Sequence, residues 1–415
     1  MFPLLRHQDT IFVRQLKKSR LKVNDIITIK QGVFFITHRI IYISKAGLIL
    51  TKGDHNFFPD KPVKRRDVIG KVEAIARKNQ TIYIESFYLF QSSIYFEEIK
   101  IINKLLTDSQ INYVFLKGLP LHLYYGKQIP RRIFADCDIL IDSSEESDVE
   151  KILSSLGYKK KEHIPHKITN LFLRKKTECD YWKRIGPFKI VIDIHTQPTL
   201  FFVQSNNLTP LYPYKLVMEF SRILLIQKKE VSIYRQRFPL LKTEYQIVYL
   251  ALHLFHDNFS GYHKYLFLEK VINSSNFDED LIIKIIKDYE LENFLYCTFS
   301  LLRKYYNPNF SKNFLQKIKS RKSKQMTNII KTTSIFSESQ HTETGVERFK
   351  NIYYLSKTHS LIKPLIFFRL EIIVLIMHVL IKKIRLIIKI NNRSNSLLPK
   401  NTYPSYKPKY TAYRR

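Results

Sequence analysis

Asp136 and Asp138 stand one residue apart in the apolar run Asp136-Cys-Asp-Ile-Leu-Ile141, and a third acid, Asp193, lies within Ile190-Val-Ile-Asp-Ile-His195. Side chains alternate faces along a strand, so Asp136 and Asp138 project to one side and Cys137 to the other. Asp193 and His195 share a face in the same way. If the two strands are neighbours, three carboxylates converge, and their repulsion in a partly buried site calls for a cation. Hard oxygen ligands select Mg²⁺ or Mn²⁺ over zinc. Upstream, Phe115-Leu-Lys-Gly-Leu-Pro120 reads as a strand, a glycine turn and a helix start. Gly118 would let backbone N–H groups approach phosphates, and the helix that follows adds its dipole. Lys117 and Arg132 are the cations placed to neutralise phosphate charge. Together these are the parts needed to hold a divalent metal and a nucleoside triphosphate.

Taken singly, each of these short patterns is common in turns and strand ends. Their joint order is specific: Leu116-Lys-Gly118, Arg132 four residues before Asp136-x-Asp138, then Asp193-Ile-His195. In that order they resemble the uncharacterised nucleotidyltransferase family of the polymerase-β-like superfamily. Leu252-His253-Leu-Phe-His256 and Tyr265-Leu-Phe-Leu-Glu269 extend the resemblance over roughly residues 95–300. The resemblance implies transfer of an NMP group from Mg-NTP to an acceptor it does not name. It implies Asp136 and Asp138 as metal ligands, and Asp193 as a further ligand or as the group that activates the attacking atom. The chain departs from the pattern at Leu119, where the superfamily carries serine, at Glu269, where the family carries aspartate, and at Thr196, where it carries tryptophan. His253 and His256 fall on a helix expected over Tyr245 to Phe259, a spacing that suits either a metal or ordinary packing.

The first ninety residues read as short strands separated by turns: Thr10–Gln15, Ile26–Ile29, Gly32–His38, Ile40–Ser44, Leu48–Thr51 and Val68–Ala76. Met1-Phe-Pro3, Asn24-Asp-Ile-Ile27, Thr37-His-Arg-Ile40, Thr51-Lys-Gly-Asp-His-Asn56, Asp60 and Ile69-Gly-Lys71 occur there in order. They resemble the signal-peptidase/LexA-type serine peptidase fold, in the branch that uses Ser, His and Asp. The resemblance implies His38 as the base and Asp54 or Asp60 as the acid that orients it. The motif's serine would be the residue immediately before Met1. Two readings follow: a serine precedes Met1, or the module is a peptidase-like fold kept for binding.

The expected architecture is α+β and multidomain: an all-β peptidase-like module over residues 1–90, a mixed α/β nucleotidyltransferase core over 91–205, a helical domain over 206–390 and a basic tail over 391–415. Helices are expected at Ile94–Leu106, Ser144–Leu156 and Asp280–Tyr305, and a polar loop at Ser334–Gly345. The 415 residues, 45% of them hydrophobic, suffice for several cores. Three scattered cysteines, Cys137, Cys179 and Cys297, argue against a disulfide framework and suit a reducing compartment. The net charge of +33 favours anionic partners, yet no recognisable nucleic-acid-binding motif accompanies it. Residues 364–390 are apolar but broken by charge, too short a run to span a bilayer. They read as a basic amphipathic helix, packed on the helical domain or lying on an anionic membrane surface. No secretory signal is expected, which with the nucleotide reading places the chain in the cytoplasm, with a membrane-peripheral location as the variant. The acceptor stays open; pairing with a peptidase-like module points toward a peptide. A non-catalytic binding protein with both folds retained, and a signal peptidase-type endopeptidase, are the competing readings.

Overall fold

The computed structural model describes residues 4–6, 8–16, 20–54, 56–127, 130–134, 136–161, 177–198, 211–319, 324–337 and 343–357. The expectations for Met1–Pro3, for the amphipathic segment 364–390 and for the tail 391–415 lie outside these residues.

The N-terminal strands form one sheet. Its strands are β1 (Thr10–Gln15), β2 (Ile26–Gln31), β3 (Phe34–Ile43), β4 (Ile49–Lys52), β5 (Val68–Arg77) and β6 (Gln80–Tyr83). Their order is β1-β5-β2-β3-β4, with β6 paired to β5, and every pairing is antiparallel. The two strands expected over Gly32–His38 and Ile40–Ser44 are one continuous strand. A shift in its pairing with β4 between Ile40 and Tyr42 is the local irregularity that reads as a break in the sequence.

The second sheet holds β7 (Tyr113–Phe115), β8 (Asp136–Ile141), β9 (Lys159–Lys160), β10 (Glu178–Ile185), β11 (Phe188–His195), β12 (Lys228–Ile233) and β13 (Gln236–Leu241). Their order is β12-β13-β7-β8-β11-β10-β9, with β8 parallel to β11 and β13 parallel to β7. The β12–β13 hairpin falls in the region read as helical. Its turn uses Tyr234 and Arg235, both at positive φ. A turn of this kind usually announces itself by Asn or Gly, so the sequence carried no signal for it.

Helix α1 (Ile84–Asp108) begins ten residues before the expected Ile94. Its buried stripe, Tyr88, Tyr95, Ile99, Ile102 and Leu106, follows helical spacing and packs into the core. α2 (Leu119–Gly126) starts at Gly118, α3 (Glu146–Ser155) follows β8, and α4 (Tyr214–Ile226) leads into the hairpin. Helix α5 (Thr243–His256) is buried on nearly all sides, against α6 (Tyr262–Asn273), α7 (Glu279–Asp288) and α8 (Glu292–Tyr305). The segment expected as one helix, Asp280–Tyr305, divides into α7 and α8 at Glu290, which takes a left-handed φ of 51°. The polar stretch 334–345 meets a helix at Glu343–Leu355. No helix among the described residues is long and apolar enough to cross a membrane.

The sheets meet through specific contacts. Ile41 of β3 joins the main core, and the Tyr42 hydroxyl donates to the Tyr305 carbonyl at 3.2 Å. Buried Asp25 receives Lys71 at 2.8 Å and Arg131 at 3.2 Å.

Candidate functional site

The parallel register of β8 and β11 sets Asp193 directly beside Asp138, and Val191 beside Asp136. The antiparallel register on the other side of β11 sets Asp180 of β10 beside Asp193. A row of carboxylates, Asp138–Asp193–Asp180, thus crosses three adjacent strands. One oxygen each from Glu178, Asp180 and Asp193 lies within 4.8 Å of the others. Sequence reasoning did not single out Glu178 and Asp180. Their spacing of two on a strand repeats the Asp136–Asp138 pattern and was the available signal.

The environments of these acids differ. Asp138 is buried and accepts from Lys117 Nζ at 2.8 Å and His195 Nε2 at 3.0 Å. Burial opposes its charge, but Lys117 and His195 outweigh burial and hold its pKa below the usual carboxylate range. Asp193 has no direct ion pair with a cation among the described residues, and the charge of His195 acts on it only weakly. Burial, then the charges of Asp138, Asp136 and Asp180, push its pKa up to about 8. Asp138 Oδ2 and Asp193 Oδ1 are buried without a hydrogen-bond partner among the described residues. Orphaned carboxylate oxygens in an acid-rich row fit a hard divalent cation, which would satisfy them and offset their repulsion.

Gly118 caps α2 with a φ of +103°, and a Cβ there would lie 3.0 Å from the Cys137 backbone. Glycine is required on both counts, and the close approach joins the turn to the strand that carries Asp136 and Asp138. Cys137 itself is buried, consistent with a packing role.

Lys117 continues inward. Its Nζ lies 2.6 Å from His253 Nε2, and His253 Nδ1 lies 2.9 Å from Asp257 Oδ2. Burial and then Lys117 lower the His253 pKa. A neutral ring is the form that accepts from the ammonium at Nε2 while its Nδ1–H faces Asp257. Burial also opposes the Lys117 charge, yet Asp138 and its neighbours raise the pKa above the usual lysine value. The ion-paired side chain Lys264 closes the row on Asp257. His253, read from the sequence as either packed or metal-binding, is therefore the second partner of the lysine beside Asp138. Glu269 accepts from the Asn307 backbone N–H at 2.8 Å and so ties α6 to the end of α8.

Arg132 stands apart from this row, with its guanidinium 5.1 Å from the Phe134 ring centre. In the N-terminal sheet, His38 Nδ1–H donates to Asp60 Oδ2 at 2.6 Å, and the Thr51 hydroxyl donates to the same oxygen at 2.7 Å. A Cβ on Gly53 would stand 2.9 Å from His38 Nε2, so the Nε2 side of the ring faces this glycine. Asp54 turns elsewhere: Arg39 grips it with two bonds of 2.9 and 2.8 Å and also donates to the Tyr88 hydroxyl at 2.7 Å. Asp60, not Asp54, is the acid on His38.

A mixed sheet thus carries a carboxylate row beside a helix that opens at a glycine. Residues 88–307 match the family described as uncharacterised nucleotidyltransferase, and the chain belongs to that family. Two solved structures are similar in part. The lincosamide antibiotic adenylyltransferase LnuA, bound to lincomycin, is 16% identical, with 43% of this chain and 97% of that chain covered at a TM-score of 0.28. An antigenic nucleotidyltransferase-like protein from Paracoccidioides brasiliensis is 12% identical, with 49% and 91% covered at a TM-score of 0.31. No curated protein matches the chain.

Proposed function

We propose that the chain transfers an NMP group from an NTP to an acceptor and releases pyrophosphate. The observation that carries this reading is the register of β8 and β11, which stands Asp138 beside Asp193 with an orphaned oxygen on each. Asp136, Asp138 and Asp193 would hold Mg²⁺ or Mn²⁺, with Asp180 and Glu178 on the outer side. The cation, when bound, polarises the phosphate and stabilises the charge that develops there. The bond formed joins the acceptor oxygen or nitrogen to the α-phosphorus, and the bond broken is the α–β bridge. Asp193, with its pKa near neutral, is suited to take the acceptor's proton or to share the metal. Lys117 holds Asp138 in place, and Gly118 lets the turn lie against Cys137 of the strand that carries both acids. The domains are read as 1–90, 91–205 and 206–390, with α1 bridging the first two. A peptide brought by the N-terminal module is the leading acceptor, and the cytoplasm supplies the NTP. Calorimetry with ATP, GTP, CTP and UTP tests the reading, which requires magnesium-dependent binding of at least one of them.

A second reading concerns the N-terminal module alone, and the His38–Asp60 bond favours it. A histidine whose Nδ1–H is fixed by a carboxylate presents Nε2 as a general base. With a nucleophilic hydroxyl brought to Nε2 the module would act as a serine peptidase; without one it would bind peptides. A serine-directed acylating probe should label the chain and fail to label the His38→Ala variant. Equal labelling of both would place the nucleophile elsewhere.

A further inference from the structure

A cavity of about 230 Å³ opens where Lys22–Asn24 of the β module face α2 and α6. Lys22, His122, Arg132, His263 and Lys270 all line it, and no carboxylate does among the described residues. Arg131, the neighbour of Arg132, is paired with Asp25 at 3.2 Å and Glu85 at 3.4 Å. Arg132, Lys22 and Lys270 have no ion pair among the described residues. The lining is also built rather than loose. His122 stacks on Phe267 at 3.8 Å, and Phe134 lies edge-on to His122 at 5.1 Å while carrying Arg132 on its face.

Concentrating cations in a partly desolvated pocket is unfavourable unless an anion joins them. Burial lowers the Arg132 pKa, Asp136 offsets this in part, and burial with Arg132 keeps His122 and His263 well below the usual histidine value. The histidines are thus neutral N–H donors beside fixed positive charges. Guanidinium, ammonium and imidazole N–H groups around one small space match the oxygens of phosphate. The volume is below the 300 Å³ or so of a pocket that encloses a whole drug-sized ligand, so it suits a phosphate group at the end of a larger molecule.

We propose that this cavity binds a terminal phosphate group of a substrate through Arg132, Lys270, Lys22 and the two histidines, independently of the metal. The proposal draws on the nucleotidyl-transfer reading only for what carries the phosphate: the leaving end of the NTP, or a phosphorylated acceptor.

The test is calorimetry on the full chain in EDTA, with pyrophosphate and inorganic phosphate as the probes. Saturable pyrophosphate binding is expected, weakened about tenfold by Lys270→Gln and further by Arg132→Gln, as the loss of a charge-assisted hydrogen bond requires. Lys270 is exposed, so Lys270→Gln and Lys22→Gln carry the test should Arg132→Gln not fold. A second titration without EDTA, in competition with a magnesium complex of a non-hydrolysable ATP analogue, separates the sources. Displacement of pyrophosphate assigns the site to the nucleotide, and simultaneous binding assigns it to the acceptor. Pyrophosphate that does not bind, or binds the variants as it binds the wild type, overturns the proposal. Because no metal and no turnover are involved, that result is separate from failure of the carboxylate row to bind Mg-NTP.

Discussion

Asp138 and Asp193 stand side by side on parallel strands, but it is Asp138 that pairs directly with Lys117 and His195. The pair is electrostatically split: one carboxylate is fixed in its charged form, and the other is pushed up to about 8 from the usual 3.8. A folded-state pKa above the unfolded value means that the folded protein holds the proton more tightly. Stability is then present at low pH and lost as pH rises from about 4 to about 8.

Asp193→Asn should therefore stabilise the metal-free protein at a pH of about 8.5, by roughly 1–3 kcal/mol once the part-exposed carboxyl is discounted for screening. The gain should shrink towards zero near a pH of about 4. Denaturant unfolding in EDTA at both pH values measures it. Saturating Mg²⁺ should reverse the order, because the cation stabilises the wild type by mass action.

Lys117 is held from two sides, by Asp138 and by the His253–Asp257 pair on α5 and the turn after it. His253→Ala removes one side and frees the ammonium to shift. Binding of Mg-ATP should weaken roughly three- to tenfold, about 0.7–1.4 kcal/mol, with Asp257→Asn acting in the same direction. Lys117→Met should cost more, about 3–5 kcal/mol in stability, because it leaves Asp138 buried with less compensation. Calorimetry and denaturant unfolding separate the two effects.

Arg39 is buried, forked onto Asp54 and bonded to Tyr88 of α1. Burial opposes its charge, but Asp54 and Tyr88 keep the guanidinium protonated. Lysine cannot reproduce the fork. Arg39→Lys should destabilise the docking of the N-terminal sheet on α1 by about 2–4 kcal/mol. Arg39→Met combined with Asp54→Asn should cost less than the sum of the single changes. Limited proteolysis near residue 84, with unfolding midpoints, reports both.

The elements that carry the acids were legible because apolar strands with period two announce both their existence and their facing side. Thr10–Gln15 and the run from Asp136 were readable for that reason. Strand order was not legible: that Asp180 would lie beside Asp193 depends on a hairpin register, which no local pattern encodes. The hairpin at Tyr234-Arg235 was hidden by turn residues that rarely take positive φ. The role of His253 was equally hidden, because its partner Lys117 is distant in sequence and meets it only when α5 packs beneath the β7–α2 turn. Arg132 was picked out as a phosphate-binding cation, but its cavity needs the loop at Lys22–Asn24, which belongs to the other sheet.

The central claim is that the carboxylate row holds the metal of a bound NTP. Calorimetry of Mg²⁺ with the preferred NTP, on the wild type and on Asp136→Ala with Asp138→Ala, tests it most directly, with circular dichroism confirming that the variant is folded. The prediction is tight binding that disappears in EDTA for the wild type, and weak binding indifferent to EDTA for the variant. Magnesium-dependent binding of equal strength in a folded variant would contradict it.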